Sequence, residues 1–326
     1  MRASRLELAL DSGAWVLPPA GDIAVYRPHR GDDLSALPQS RTVMLTGFRP
    51  DHDHFTGLGY RTAAPSFTTA LVCLPRAKAD AQALMAEAAA ALPAGAIIAV
   101  DGQKTDGIDP LLKDCRALGL QVSDTLSKAH GKFATVTSAP ALQQWAAQDH
   151  RTEGFITRPG TFSADGPDRG STLLAEALPP DLPARIADLG AGWGFLSRAI
   201  LTRPGVRHLD VIEADQTALT CARRNLHDPR AAFHWADATR FRPDRPWNAV
   251  VMNPPFHSGR EADPSLGLAF IRAAHKGLTP DGSLWMVANR HLPYDKTLHD
   301  LFRDITDLTR DPAFRVIRAA YPIRHK

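Results

Sequence analysis

The stretch RIADLGAGWGFLSRAILTR, residues 185–203, decides the fold of the second half of the chain. A short apolar strand runs into three glycines at alternate positions, Gly190, Gly192 and Gly194, and a segment with helical spacing follows. Glycines at such a turn let the backbone reverse sharply and let a ligand approach the main chain and the helix N-terminus. The stretch therefore predicts a strand–turn–helix unit that binds a ligand.

Strand and helix patterns alternate on both sides of this stretch. Apolar strand patterns occur at 208–215, 231–238, 247–253, 282–290 and 314–324, and helical patterns at 216–228 and 264–278. Such alternation predicts a doubly wound, mainly parallel sheet, in which ligands bind at the carboxyl ends of the strands. The last strand is expected to be antiparallel.

The first half of the chain repeats part of this plan. Strand patterns occur at 42–48, 68–75 and 93–107, and a helical pattern at 77–92. ALVCLP followed by LPAGAIIAVDG resembles AVVMNPP followed by LTPDGSLWMVAN, which indicates an internal duplication. We therefore expect an α/β protein of two tandem doubly wound domains, residues 1–150 and 151–326, divided near the polar segment 143–157.

Composition excludes several classes of protein. The chain has 326 residues, of which 44% are hydrophobic and 22% charged, as in an ordinary globular protein of two domains. The N-terminus does not resemble a signal peptide, and no segment has the roughly 20 apolar residues of a spanning helix. Three dispersed cysteines predict a reducing cytoplasm without disulfides. DHDHF at 51–55 has no partner cluster, so no metal site is predicted.

The spacing of the glycines distinguishes between nucleotide-type ligands. A dinucleotide fingerprint has a third glycine three positions after the second, where this chain has Phe195. The pattern instead resembles the first motif of class I S-adenosylmethionine (SAM) methyltransferases. Acidic residues at three strand ends agree with this, because Asp188, Glu213 and Asp237 would line one crevice. Glu213 would accept hydrogen bonds from both ribose hydroxyls and Asp237 from the adenine amine.

The sequence Asn253-Pro254-Pro255-Phe256 ends the fourth strand beside the same crevice. It suits methyl transfer to a planar amine, whose lone pair is delocalised. The Asn253 side-chain carbonyl and the backbone carbonyl of Pro254 can accept both amine hydrogens, so that the lone pair points at the sulfonium methyl. Two prolines stiffen the loop, and Phe256 offers a face on which a base can stack. Catalysis would then rest on orientation and electrostatics.

These motifs together resemble the bacterial small-subunit (16S) ribosomal RNA guanine-N2 methyltransferases. The resemblance rests on NPPFH at 253–257 and on PGTFSADGPDRGSTLL at 159–174, and Trp193 departs from it because a small residue is usual there. It implies a degenerate first domain, a catalytic second domain and SAM as cofactor. The residues implied to bind the cofactor are Phe162, Asp188, Gly190, Gly192, Gly194, Glu213, Asp237 and Asn253.

The expected partner is ribosomal RNA or the small ribosomal subunit, and we expect a monomer. Phe256 and His257 are assigned to the target base, although His257 could equally shape the loop, and no general base is required. Arg76 and Lys78, in the corresponding loop of the first domain, would contact phosphates or would simply be solvated.

The sequence alone also allows other functions. The acceptor could be a guanine of large-subunit RNA, adenine N6 or a protein glutamine. A non-catalytic RNA-binding assembly factor could keep the fold, but the intact set of Asp188, Glu213, Asp237 and Asn253 disfavours it. The glycine spacing disfavours a nicotinamide-dependent oxidoreductase.

Overall fold

The structure is a computed structural model that describes residues 2–255, 257–258, 261–262 and 264–324. The chain forms two compact units, which meet between Asp149 and His150. Among the described residues, every helix is too short or too polar to cross a membrane.

The first unit is built on a six-stranded sheet. Its strands are β1 (Ile23–Tyr26), β2 (Thr42–Leu45), β3 (Thr69–Cys73), β4 (Ile97–Gln103), β5 (Leu126–Lys128) and β6 (Gly131–Thr137). The spatial order is β2-β1-β3-β4-β6-β5, with β1 to β4 parallel and β6 antiparallel to both β4 and β5. The sheet therefore changes winding direction between β1 and β3, where doubly wound sheets open a crevice.

The second unit contains a hairpin and a seven-stranded sheet. Its strands are β7 (His150–Thr152), β8 (Phe155–Thr157), β9 (Arg185–Leu189), β10 (His208–Glu213), β11 (Ala231–Trp235), β12 (Trp247–Met252), β13 (His257–Ser258), β14 (Glu261–Ala262), β15 (Leu278–Asn289), β16 (Phe302–Asp307) and β17 (Phe314–Pro322). The sheet order is β11-β10-β9-β12-β15-β17-β16. β17 runs antiparallel to both its neighbours, β15 and β16, and the strands from β11 to β15 in this order are paired in parallel. The winding direction changes between β9 and β12.

Helices cover the faces of both sheets, as parallel strands require. They are α1 (Arg2–Asp11), α2 (Arg49–Gly57), α3 (Lys78–Ala91), α4 (Ile108–Ala117), α5 (Arg169–Ala177), α6 (Phe195–Leu201), α7 (Gln216–Asn225), α8 (Pro264–Gly277) and α9 (Asp295–Leu301). Each sheet has an apolar core on each of its two faces. In the second unit, the core residues Ile186 and Val251 lie on one face, and Leu189 and Met252 on the other.

The fold class of two tandem doubly wound domains is confirmed. The order β2-β1-β3-β4-β6-β5 repeats the order β10-β9-β12-β15-β17-β16, so the first unit lacks only a counterpart of β11. The predicted strand over 314–324 is antiparallel, as expected, but it lies inside the sheet because β16 takes the edge. The segment 143–157, expected to be a polar linker, includes the β7–β8 hairpin.

Candidate active site

The carboxyl ends of β9, β10 and β12 lie level at one edge of the second sheet. Leu189 pairs with Ile212, and Asp188 pairs with Val251 on the other side. Gly190 follows β9, Glu213 is the last residue of β10, and Asn253 follows β12. Parallel strands are spaced about 4.8 Å apart, so β11, which precedes Asp237, lies about 14 Å from β12. The predicted site residues therefore follow one another along a single edge, across the switch point.

The glycine loop takes a backbone conformation that glycine adopts without strain. Gly190, Gly192 and Gly194 have φ values of +75°, +57° and +93°. A Cβ atom on Gly194 would lie 3.1 Å from Leu226 Cδ1, whereas a Cβ on Gly192 would meet nothing within 4 Å. Gly194 is thus needed for packing, and Gly192 leaves open space where a ligand can approach the main chain.

Asp188 lies beneath this loop rather than on its surface. Its side chain is fully buried, and Oδ2 accepts a 2.6 Å hydrogen bond from Ser197 Oγ on α6. Among the described residues, Oδ1 has no hydrogen-bond partner. Burial raises the pKa of Asp188 to about 7, and the hydroxyl of Ser197 only partly offsets it. The site therefore contains a buried acceptor that a cation would satisfy.

Glu213 is held in place by backbone amides. Its Oε2 accepts a 2.8 Å hydrogen bond from Gly192 N, and its Oε1 a 2.7 Å bond from Asp215 N. Burial raises the pKa of Glu213, and these two amides act in the opposite direction. Each carboxylate oxygen can accept a second hydrogen bond, so the side chain can still bind a pair of hydroxyls. The contact to Gly192 couples the glycine loop to β10.

Asp237 lies in the loop after β11, two residues beyond the end of the strand. Its Oδ1 accepts hydrogen bonds from Thr239 N at 2.9 Å and from Thr239 Oγ1 at 2.6 Å. The local turn therefore fixes the orientation of this carboxylate at the far end of the site edge.

Asn253 lies directly across the switch point from the glycine loop. Its side-chain Nδ2 donates to Asp168 Oδ2 at 3.0 Å and to Ser171 Oγ at 2.9 Å. Pro254, which follows it, is buried, and Pro255 is exposed. Asp168 and Ser171 belong to the predicted 159–174 motif, but their contact with Asn253 was not predicted. No periodicity or spacing in the sequence links residues that are 85 positions apart.

The 159–174 segment and the glycine loop line an open cleft, where about 380 Å³ of empty space includes the adjoining solvent. Its lining includes Phe162, Asp168, Gly190, Gly192 and Asn253. The Phe162 side chain is 62% exposed at the rim.

Trp193, the departure from the expected pattern, joins the two walls of this cleft. Its indole Nε1 donates to Phe162 O at 2.8 Å, while the ring packs against Phe155 and Phe195. The ring is 4% exposed, so most of its surface is buried in this aromatic cluster and only its edge lines the cleft.

The cations predicted to bind RNA have mixed environments. Arg76 is exposed, and Lys78 Nζ forms a 2.7 Å ion pair with Asp114. In the C-terminal tail, Arg315 pairs with Asp295 and Asp307, and Arg318 pairs with Asp304. Arg76 is therefore a better candidate for a phosphate contact than Lys78.

Part of the loop that is predicted to bind the substrate lies outside the described residues. Phe256 is outside the described residues, and His257 is described only by the backbone of β13, which pairs with β14. Among the described residues, no group of three or more His, Cys, Asp or Glu side chains is arranged to hold a metal ion.

Known proteins agree with this geometry. The model of the methyltransferase small domain family matches residues 152–318. The ribosomal RNA small subunit methyltransferase C of Chromohalobacter salexigens is 33% identical over 271 residues, which cover 78% of this chain and 80% of that protein. The chain belongs to the family of ribosomal RNA small subunit methyltransferase C. The enzyme of the same name from Psychromonas ingrahamii is 29% identical, over 87% of each chain.

A solved structure extends the likeness to both units. It is the 16S rRNA N2 methyltransferase (RsmC) of T. thermophilus in complex with AdoMet and guanosine. It superposes with a TM-score of 0.79 and 24% identity, over 98% of this chain and 91% of that one. The family predicted from the motifs is confirmed, and so is the duplicated fold.

The cleft fits the cofactor of such enzymes. SAM carries a sulfonium, an ammonium, two ribose hydroxyls and an adenine amine, which together require acceptors and negative charge. The chain supplies Glu213 and Asp237 along the edge, the buried Oδ1 of Asp188, and open space above Gly192. The donor and acceptor chemistry of the edge therefore matches that of SAM.

Proposed function

We propose that this chain transfers the methyl group of SAM to the N2 amine of a guanine in 16S ribosomal RNA. The observation that carries the proposal is that Asn253 lines the same cleft as Gly190 and Gly192. An amine acceptor and a cofactor loop thus face one space at the switch point of the sheet. When bound there, SAM supplies an activated methyl group on sulfur.

The protein contributes orientation rather than a nucleophile of its own. Asn253 Oδ1 accepts one hydrogen of the target amine, and the carbonyl of Pro254 accepts the other. This arrangement favours a pyramidal nitrogen whose lone pair points along the line of transfer. As the N–C bond forms and the C–S bond breaks, the amine nitrogen becomes positively charged and then loses a proton to water. The adjacent acceptors stabilise that developing charge.

The cofactor assignments follow the order of the strand ends. Glu213 binds the ribose hydroxyls, Asp237 accepts from the adenine amine, and the loop of Gly190, Gly192 and Gly194 lies against the main part of the cofactor. Phe162 covers it from the opposite wall. Asp188 lies below the loop, where the positive charge of a bound cofactor would favour its ionised form. Phe256 and His257 remain assigned to the target base.

The first unit is assigned to RNA engagement and to support of the fold. Arg76 is its exposed cation in the loop that corresponds to the Asn253 loop. The enzyme is expected to work as a monomer in the cytoplasm, where ribosomal RNA is available. All three cysteines are buried, and a reducing compartment would keep their thiols intact.

Transfer of labelled methyl groups tests this function. The purified chain is incubated with labelled SAM and with small subunits or naked 16S RNA from a bacterium that lacks the corresponding gene. Digestion to nucleosides should give labelled N2-methylguanosine, and Asn253→Ala serves as the inactive control. Label in N6-methyladenosine, in large-subunit RNA or in protein glutamine would assign the chain to another acceptor. SAM binding without any transfer would support a non-catalytic assembly factor.

A further inference from the structure

The side-chain amide of Asn253 is held by two residues of a distant segment. Nδ2 has two hydrogens, and it has two acceptors within hydrogen-bond distance, Asp168 Oδ2 at 3.0 Å and Ser171 Oγ at 2.9 Å. An amide nitrogen can satisfy both of its donors in this way. The amide oxygen is then the only atom of the group left to meet a substrate amine.

Asp168 decides which way the amide faces. The hydroxyl of Ser171 can donate or accept, so it would tolerate either orientation of the amide. The carboxylate of Asp168 only accepts, and a flipped amide would set two oxygens against each other at the same 3.0 Å distance. Because the wrong orientation would also present an N–H group to the target amine, a flip would remove the acceptor.

The two acceptors of the Asn253 amide, Asp168 Oδ2 and Ser171 Oγ, are held rigidly because Asp168 has a second role. It is the N-cap of α5, where its Oδ2 also accepts a 2.9 Å hydrogen bond from Ser171 N. Gly170 allows the close approach, since a Cβ there would lie 3.0 Å from Asp168 Oδ2. Ser171 is 8% exposed. The same helix end therefore holds both acceptors in place before any substrate arrives.

The charge of Asp168 also acts through the amide. A carboxylate that accepts from Nδ2 polarises the amide and increases the negative charge on Oδ1. Charge-assisted hydrogen bonds are also stronger than neutral ones. A better acceptor draws the amine hydrogens more strongly, which is the effect the transition state needs.

We infer that Asp168, with Ser171, is a positioning residue that fixes and polarises the Asn253 amide so that Oδ1 faces the acceptor amine. This inference rests on the proposed function, because it assigns a task to Asn253 Oδ1 in methyl transfer. A capping role alone would stabilise α5 and leave the chemistry unchanged. The two possibilities make different predictions for variants.

Variants of Asp168 separate positioning from capping. Asp168→Ser keeps a good N-cap but has too short a side chain to reach Asn253, so single-turnover transfer should slow by about 10- to 100-fold, as expected for one lost hydrogen bond to a charged group. Asp168→Asn keeps an oxygen that can accept from both donors but loses the charge and the fixed acceptor character, so its rate should fall between those of wild type and Asp168→Ser. Thr172→Val is the matched control, because Thr172 Oγ1 bonds only the backbone carbonyl of Asp168, at 3.1 Å.

SAM affinity should stay unchanged in Thr172→Val, and in the two Asp168 variants it should change less than the transfer rate does, although Asp168 lines the cleft. Thermal unfolding of each variant checks that the fold is retained. Ser171→Ala, which leaves the Asp168 cap intact, should lower the rate about 3- to 10-fold, since one of two acceptors is lost. This variant keeps the test valid if changes at Asp168 disturb folding.

A double-mutant cycle gives the readout that a structural role would not change. If Asp168 acts through Asn253, then Asp168→Ser should have no further effect on the rate in an Asn253→Ala background. An equal loss in both backgrounds, or a Ser variant as fast as wild type, would overturn the inference. Absence of guanine methylation by the wild-type enzyme would instead overturn the proposed function, so the two failures are distinguishable.

Discussion

The two units of this chain share a topology and differ at the edge where ligands bind. In the second unit, β9 ends in the glycine loop and β12 ends at Met252, followed by Asn253. In the first unit, β1 is followed by Arg27, and β3 ends at Cys73, followed by Leu74. A proline follows both Leu74 and Asn253, so Leu74 occupies the position that Asn253 holds in the other unit.

Charged side chains occupy the corresponding edge of the first unit. Arg5 is 1% exposed and binds Asp101 through Nε at 2.6 Å and through NH2 at 3.0 Å. Arg2, on the same helix, adds a 2.5 Å contact to Asp101. The buried Asp101 carboxylate thus has two guanidinium partners that match its charge, whereas among the described residues Asp188 has a hydroxyl partner at Oδ2 and no hydrogen-bond partner at Oδ1. The two units share a fold, and the residues at their strand ends and in the loops that follow decide which unit can bind a ligand.

The largest expected effect comes from replacing Asn253 by alanine, with the same change at Leu74, its counterpart in the first unit, as the control. Asn253→Ala should reduce single-turnover methyl transfer by about 10²–10³, since a preorganised acceptor at the reacting centre is lost. SAM affinity should stay near that of wild type. Leu74→Ala is the control, because it creates a cavity in the core of the first unit and should lower stability without reducing transfer. Comparable loss of transfer in both variants would show that the two loops do not differ in function.

A smaller effect is expected in the glycine loop. Gly192→Ala places a Cβ in the open cleft at a positive φ, and SAM should bind about 10-fold more weakly because ligand and methyl group compete for space. Gly95→Ala, at φ +82° in the first unit and also without neighbours within 4 Å, carries similar backbone strain. Calorimetric titration with SAM should distinguish them, and equal affinities would remove Gly192 from the cofactor site.

The buried acid beneath the loop should make stability depend on pH. The folded-state pKa of Asp188, about 7, lies above the ordinary value of 3.8 for an aspartate. The protonated form is therefore favoured in the folded state, and its contribution is fully present below pH 3.8 and lost as pH rises to 7. Relative to Asp188→Asn, the free energy of unfolding of the wild type should fall by at most about 1.4 kcal/mol per pH unit in that window. Urea titrations at several pH values measure this difference, and a constant difference from pH 4 to 8 would contradict the buried protonated acid.

The smallest expected effect concerns RNA binding by the first unit. Arg76→Ala should make the slope of log affinity against log salt shallower by about 0.7–0.9, the contribution of one phosphate contact. Lys78→Ala should change it less, because Lys78 already pairs with Asp114. Binding to 16S RNA across a salt series gives both slopes. If Arg76→Ala changes neither affinity nor slope, this loop does not contact RNA.

The sequence predicted the site edge well because parallel strands bring their carboxyl ends together. Gly190 and Asn253 each follow an apolar strand and Glu213 ends one, so their proximity could be predicted from the order of the strands. Contacts over long sequence separations could not be predicted. Arg5 resembles a surface charge in a polar helix, yet it is buried against Asp101, 96 positions away.

Short or isolated elements also escaped prediction. β1 has only four residues, Ile23–Tyr26, and lies among prolines and glycines, so its pattern is too brief to indicate a central strand. Trp193 stands where the resembling family usually has a small residue. Its indole packs in an aromatic cluster and donates to Phe162 O, and neither contact is encoded locally.

The bond between Trp193 and the Phe162 carbonyl gives the protein an intrinsic optical probe. The emission of an indole depends on the polarity around it and on the hydrogen bond of its N–H group, and this N–H group bonds the opposite wall of the cleft. A molecule that enters between those walls changes both conditions at once. Of the six tryptophans in the chain, substitution of this one by phenylalanine should remove the ligand-dependent part of the fluorescence. The occupancy of the cleft can therefore be followed in real time without any label.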